Sequence, residues 1–161
     1  MSAITEPLVE VEECPECLLG NLSWLLAQAH YALASELAAA FEPLGITPRG
    51  HSVIAAAMTG MYTQKELAEL VGLDKTTMVV TLDELEGSGL AKRVPSSTDR
   101  RARVIEVTKA GHAKVTAANK IIARVQADVM ASLGAPEADA LLRTLGHLVR
   151  ARLAEPVTCK G

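Results

Sequence analysis

Aromatic residues are nearly missing from this chain: one Trp, two Tyr and one Phe among 161 residues, although hydrophobic residues make up 49%. A β-sandwich rich in Tyr and Trp is thereby disfavoured, and an apolar fraction built largely on Ala and Leu points to closely packed helices. Cysteine is scarce as well, and three residues do not make a disulfide framework. No apolar stretch reaches the roughly 18–20 residues of a membrane span, and no basic segment leading into an apolar run opens the chain. The expectation is a cytoplasmic protein with no membrane partner. No nucleophile–base–acid set of the kind hydrolases use stands out, so neither an enzyme nor a cofactor is expected.

Charge is short in the positive sense, with a net value of −3, which taken alone argues against a nucleic-acid partner. Its distribution argues the other way. Met1 to Gly20 holds Glu6, Glu10, Glu12, Glu13 and Glu16 and no basic residue. Lys92 to Lys114 holds Lys92, Arg93, Arg100, Arg101, Arg103, Lys109 and Lys114 against Asp99 and Glu106, a local net of +5. A basic face on an acidic body suits a local phosphate contact.

What the chain does have is helical periodicity. After a frayed acidic start, Leu22, Leu25, Leu26, Leu33, Leu37 and Phe41 recur at helical spacing over about Cys17–Glu42. Pro43, Gly45 and Pro48 break that helix, and a second is expected over about Arg49–Met58. Thr63, with Glu66 at capping-box spacing, opens a short third helix that stops near Gly72. Asp74 is the natural N-cap of a fourth, running to about Gly87. Two strand-like runs, Gly89–Pro95 and Arg103–Val107, flank the polar turn SSTDRRA. Thr108 can cap a fifth helix to about Leu133, and Gly134 with Pro136 separates it from a sixth over about Glu137–Leu153. The order is three long outer helices around a compact α-α-β-β insert. Ile121, Ile122, Val125 and Val129, with Leu141, Leu142, Leu145, Leu148, Val149 and Leu153, lack an evident cover, and a symmetric dimer supplies one.

The insert carries the chemistry. Gln64, Ala68, Gly72 and Met78 fall at helix-turn-helix spacing: Ala68 lets the helices approach, Gly72 permits the turn, and Met78 seals the angle. On the fourth helix Met78, Leu82 and Leu85 share the inward face, whereas Thr76, Thr77 and Val80 point outward with Lys75 at the edge. Small hydroxyl and methyl groups there can touch base edges, thymine methyls included, and Lys75 suits guanine or phosphate. At the hairpin tip Asp99 can hold one arginine rigid while another of Arg100, Arg101 and Arg103 enters a minor groove. A solvated helix face and a solubilising turn are the ordinary alternatives, and their coupling favours DNA.

The entry GIT, then TQKELAELVGLDKTTM, LDELEGSGL, STDRRA and VTKAG, spread over Gly45–Gly111, resemble the MarR family of winged helix-turn-helix regulators. That resemblance, which extends in helix order over nearly the whole chain, implies a mainly α fold with a small β-hairpin wing, flanked by N- and C-terminal dimerisation helices. It divides the chain into a flexible acidic N-terminus (1–16), a helical dimerisation region (17–47 and 108–154) and a DNA-binding region (48–107). It further implies an obligate homodimer on a pseudo-palindromic double-stranded operator, usually repressing nearby genes, with Thr63, Lys65 and Arg103 on phosphates. Val79 and Val80 depart from the Thr or Arg common on the family's recognition helix, so no operator sequence carries over.

Release by a ligand or an oxidant is also implied. Members that bind small aromatic acids use a crevice between the first two helices, the fifth helix and the wing, where this chain offers Trp24, His30, Tyr31, Arg49 and His51. Trp24 and Tyr31 fit a plain core role as well, and the basic residues of acid-sensing members are largely Ala or Ser here. Cys14-Pro-Glu-Cys17, with Cys159 near the other end, can act as a thiol switch, as structural or incidental thiols, or as half a metal site. The positions of the family's hydroperoxide-sensing cysteine are Leu22 and Ser23. Gly50, Ala118 and Asn119 stand where zinc-responsive members carry ligands, and Ser52 replaces the Asp of urate-responsive ones, so neither zinc nor urate is expected. A rival reading is a thiol-redox or metal-binding protein using Cys14 and Cys17.

Overall fold

The computed structural model describes residues 16–96 and 102–154. Among these, the chain forms helices α1 (Glu16–Leu19), α2 (Leu22–Phe41), α3 (Pro48–Ala57), α4 (Gln64–Val71), α5 (Lys75–Gly87), α6 (Lys109–Ala131) and α7 (Ala135–Arg150). Strands β1 (Ala91–Pro95) and β2 (Arg103–Val107) lie between α5 and α6 and pair antiparallel, with Arg93 opposite Ile105 and Pro95 opposite Arg103. The fold is mainly helical with one small hairpin, as the sequence led us to expect.

Two of the departures from the expected helix boundaries, at Asn21 and at Pro48, have a local reason; α7 likewise begins ahead of its expected start, with Pro136 in its first turn. The first long helix is not continuous. Asn21 adopts extended backbone and its side chain accepts from the Trp24 N–H at 3.0 Å, which ends α1 and starts α2 afresh. Pro48 does not stand outside the second helix; it opens it. Thr47 is the N-cap, accepting from the Gly50 N–H at 3.0 Å, and a proline at the first helical position gives up no intrahelical bond.

The core sits where α3, α5, α6 and the hairpin converge on the end of α2. Phe41, Val53, Ile54, Leu67, Met78, Leu82 and Ile105 are all sequestered from solvent there. Val125 is also buried within the chain, and Ile121 and Ile122 pack partly against the core, so these three do not await a second copy. The outer helices are different. α7 contributes no buried residue, and Leu141, Leu142 and Val149 lie exposed along it. Leu19, Leu22 and Leu25 are likewise exposed at the other end of the chain. No helix among the described residues is long and apolar enough to cross a membrane.

Candidate nucleic-acid interface

Each helix of the α4–α5 pair is started by its own cap. Thr63 and Glu66 form the full capping box: the Glu66 carboxylate accepts from the Thr63 N–H at 2.7 Å and from its hydroxyl at 2.8 Å. The Thr63 oxygen in turn accepts from the Glu66 N–H at 3.3 Å. Gly72 then takes a left-handed conformation (φ 70°) that costs glycine little, turning the chain sharply into α5. Asp74 caps α5, accepting from the Thr77 N–H at 2.9 Å and from the Thr77 hydroxyl at 2.5 Å. Both carboxyls are held below their ordinary pKa values by bonds to the charged form: Glu66 by the backbone and then the side chain of Thr63, Asp74 by the side chain and then the backbone of Thr77.

Met78, fully enclosed, fills the angle between α4 and α5, and Leu82 and Leu85 continue the buried face. The opposite face carries Lys75, Thr76 and Val80 in the open, with Thr77 half-buried. Thr63, half-buried, and exposed Lys65 stand at the start of α4, and Lys65 pairs with Glu69 at 3.8 Å across an exposed turn. Arg103, exposed, begins β2. Asp99, Arg100 and Arg101, assigned to the hairpin tip, lie outside the described residues.

The hairpin is fastened to the helix pair in two ways that sequence reasoning missed. Thr63 forms a β-bridge with Val104, and the Ile105 N–H donates to the Tyr62 carbonyl at 2.9 Å, so the segment entering α4 runs beside β2. A one-bridge strand has no alternating pattern to betray it. On the other side, Arg93 of β1 reaches back to α5, pairing with Asp83 at 2.8 Å and with Glu86, whose carboxylate also accepts from the Arg93 N–H at 2.6 Å. The seven-residue separation crosses the helix end, where no helical spacing rule applies. At the base, Gly111 of α6 lies against the Leu90 carbonyl, and a Cβ there would stand 2.2 Å from that oxygen. The glycine of VTKAG is a packing requirement.

The residues assigned to an effector are not brought together as a set. A cavity of about 690 Å³ opens among α2, α3 and α5; His30, Arg49, Leu37, Leu73 and Glu84 are among its lining residues. Trp24, Tyr31 and His51 do not line it. Tyr31 is 65% exposed, and Trp24 is half-buried. His51 is buried between α3 and α6: its Nε2 lies 2.8 Å from the Asn119 side-chain oxygen and its ring meets Phe41 edge-on at 5.7 Å. The lining of the cavity takes Glu84 from α5 and no residue from α6 or the hairpin. His51 shares a helical face with Ile54, a spacing that pointed to the core. A smaller hollow of about 440 Å³ adjoins, and Thr47, Pro48 and Glu84 line both.

Cys14 and Cys159 lie outside the described residues, as does the side chain of Cys17. Among the described residues no cluster of His, Cys, Asp and Glu could hold a metal ion.

Residues 44–102, which run from just before α3 past β1 and stop short of β2, match the model of the MarR family. The chain also superposes on the transcriptional repressor CouR bound to a 23-mer DNA duplex, with a TM-score of 0.76 and 29% identity over 85% of this chain and 99% of that one. A structure of CouR bound to p-coumaroyl-CoA gives a TM-score of 0.76 and 28% identity, over 86% and 99% of the two chains. Wild-type apo MarR from E. coli shares the fold at a TM-score of 0.72 and 22% identity, over 80% and 96%.

Proposed function

Because the chain belongs to the MarR family of winged-helix transcriptional regulators, we propose that it acts as a homodimeric, sequence-specific repressor that a small aromatic effector releases from its operator. The observation that carries this reading is the exposed N-terminal face of α5, held by an Asp74 cap on one side and tied to the hairpin through Arg93 on the other. In this reading Lys75, Thr76, Thr77 and Val80 enter the major groove, while Arg100 and Arg101, steadied by Asp99, reach the minor groove. Thr63, Lys65 and Arg103 meet phosphates. The bare α7 and the α1–α2 face supply the dimer contact, so 17–47 and 108–154 dimerise and 48–107 holds DNA.

The effector reading is supported by the cavity among α2, α3 and α5, whose volume suits a small aromatic molecule. Arg49 and His30 on its lining suit an anionic group, and the CouR complex with p-coumaroyl-CoA makes aromatic thioesters the first class to try. Glu84 belongs both to the cavity wall and to α5, so a bound molecule presses directly on the reading helix.

The test is fluorescence anisotropy of the purified protein on its own promoter DNA at two salt concentrations, with and without p-coumaroyl-CoA. Tight, salt-sensitive binding that the thioester weakens supports both parts. Binding that persists unchanged removes this effector class, and no specific binding removes the repressor. Arg101→Ala should weaken every operator variant alike and lower the salt dependence.

A further inference from the structure

Building on the DNA-binding reading above, we infer that α5 selects its operator chiefly by the 5-methyl groups of thymine, with Val80 and the Thr76 methyl as the sensing groups. Lys75–Gly87 contains no Arg, Asn or Gln, so of the side chains that read guanine and adenine edges with paired hydrogen bonds it has Lys75 alone, at its first position. The polar groups it does contain are mostly committed. The Thr77 hydroxyl donates to Asp74 at 2.5 Å, and the buried Thr81 hydroxyl donates to the Thr77 carbonyl at 2.8 Å. Asp83 and Glu86 hold Arg93, and Glu84 lines the cavities.

Lys75, Thr76 and Val80 remain on the outward face of the first two turns, and Lys75 offers donors alone. Thr76 and Val80 are four residues apart, so their methyl groups lie one above the other on the same face. Val80 is 51% exposed, alone among the large apolar side chains of α5 in facing solvent. A β-branched residue there adds nothing to the core and is a poorer helix former than alanine. Two stacked β-branched side chains form an apolar step that matches a pyrimidine methyl, which distinguishes thymine from cytosine and, in synthetic DNA, from uracil.

The experiment begins with selection of a preferred duplex from a random-sequence pool by the wild-type protein. That duplex is then prepared with thymine or with uracil at every thymine position, and both forms are titrated by anisotropy with wild type and with Val80→Ala. Wild type should bind the uracil form about fourfold more weakly for each methyl lost, hence about fifteenfold for a symmetric pair of half-sites. Val80→Ala, a better helix former at an exposed position, should bind the thymine duplex more weakly and distinguish the two forms by less than about twofold. Equal binding of both forms by wild type overturns the inference. So does a Val80→Ala protein that keeps the full ratio, because the methyl is then sensed elsewhere. A pool from which no sequence is retained overturns the repressor reading itself.

Discussion

The two ends of this fold are stabilised in opposite ways. The region from α3 to β2 is closed by its own residues: each of α3, α4 and α5 has a side-chain cap, Met78 and Leu67 are sealed from water, and Arg93 ties the hairpin to α5. α7, of similar length to α5, buries nothing and leaves Leu142 47% and Val149 62% exposed. An amphipathic helix with a bare apolar face is a candidate contact surface. The region from α3 to β2 is therefore closed within one chain, whereas the apolar face of α7 is left bare by it.

The sharpest way to break that comparison is Leu142→Glu combined with Val149→Glu. Both side chains are exposed in the single chain, so circular dichroism should be little changed while the sedimenting species falls to monomer mass. Operator affinity should drop by at least about a hundredfold, since the two half-sites then bind independently. A variant that stays dimeric would show that α7 has no part in pairing.

Gly111→Ala acts on the other half. Alanine ordinarily favours a helix, but this Cβ meets the Leu90 carbonyl, so a net destabilisation of about 2–3 kcal/mol is expected in urea unfolding. A stabilised variant would mean that the base of the hairpin yields freely. Arg93→Met should change stability little, because Asp83 and Glu86 are partly solvated, yet weaken operator binding by about tenfold through a misplaced hairpin. Equal losses in stability and binding would show that the contact is only structural.

The smallest effect is on pH dependence. Glu66 and Asp74 titrate below their ordinary values of 4.5 and 3.8, so their caps stabilise fully above those values. That contribution is lost as pH falls through the lowered folded values, and it is flat between pH 6 and 8. Asp74→Ala should lower Tm at pH 7, and the gap to wild type should close in acid. A gap that stays constant to pH 2 would mean that the Asp74 charge does not contribute.

Local chemistry explains how much of this was legible beforehand. The Thr63–Glu66 box, the Gly72 turn, the Asp74 cap and the inward Met78–Leu82–Leu85 stripe were all readable because each depends on residues within one or two turns. The break at Asn21 was equally local but was masked by leucines that keep helical spacing on both sides of it. Arg93, the Thr63–Val104 bridge and the His51–Asn119 contact join segments whose approach depends on the whole fold. For the same reason the position of His51 on α3 does not reveal that the fold gives its ring to Phe41 and Asn119.

Glu84 stands on the cavity wall and on α5 at once. In the proposed mechanism that shared wall makes the coupling reciprocal, so the factor by which an effector loosens the operator is also the factor by which the operator repels the effector. DNA is then a competitor for the effector without ever touching its cavity. The dose needed to open a promoter rises with the tightness of that promoter, and one pool of protein can answer a rising metabolite level gene by gene, weakest operator first.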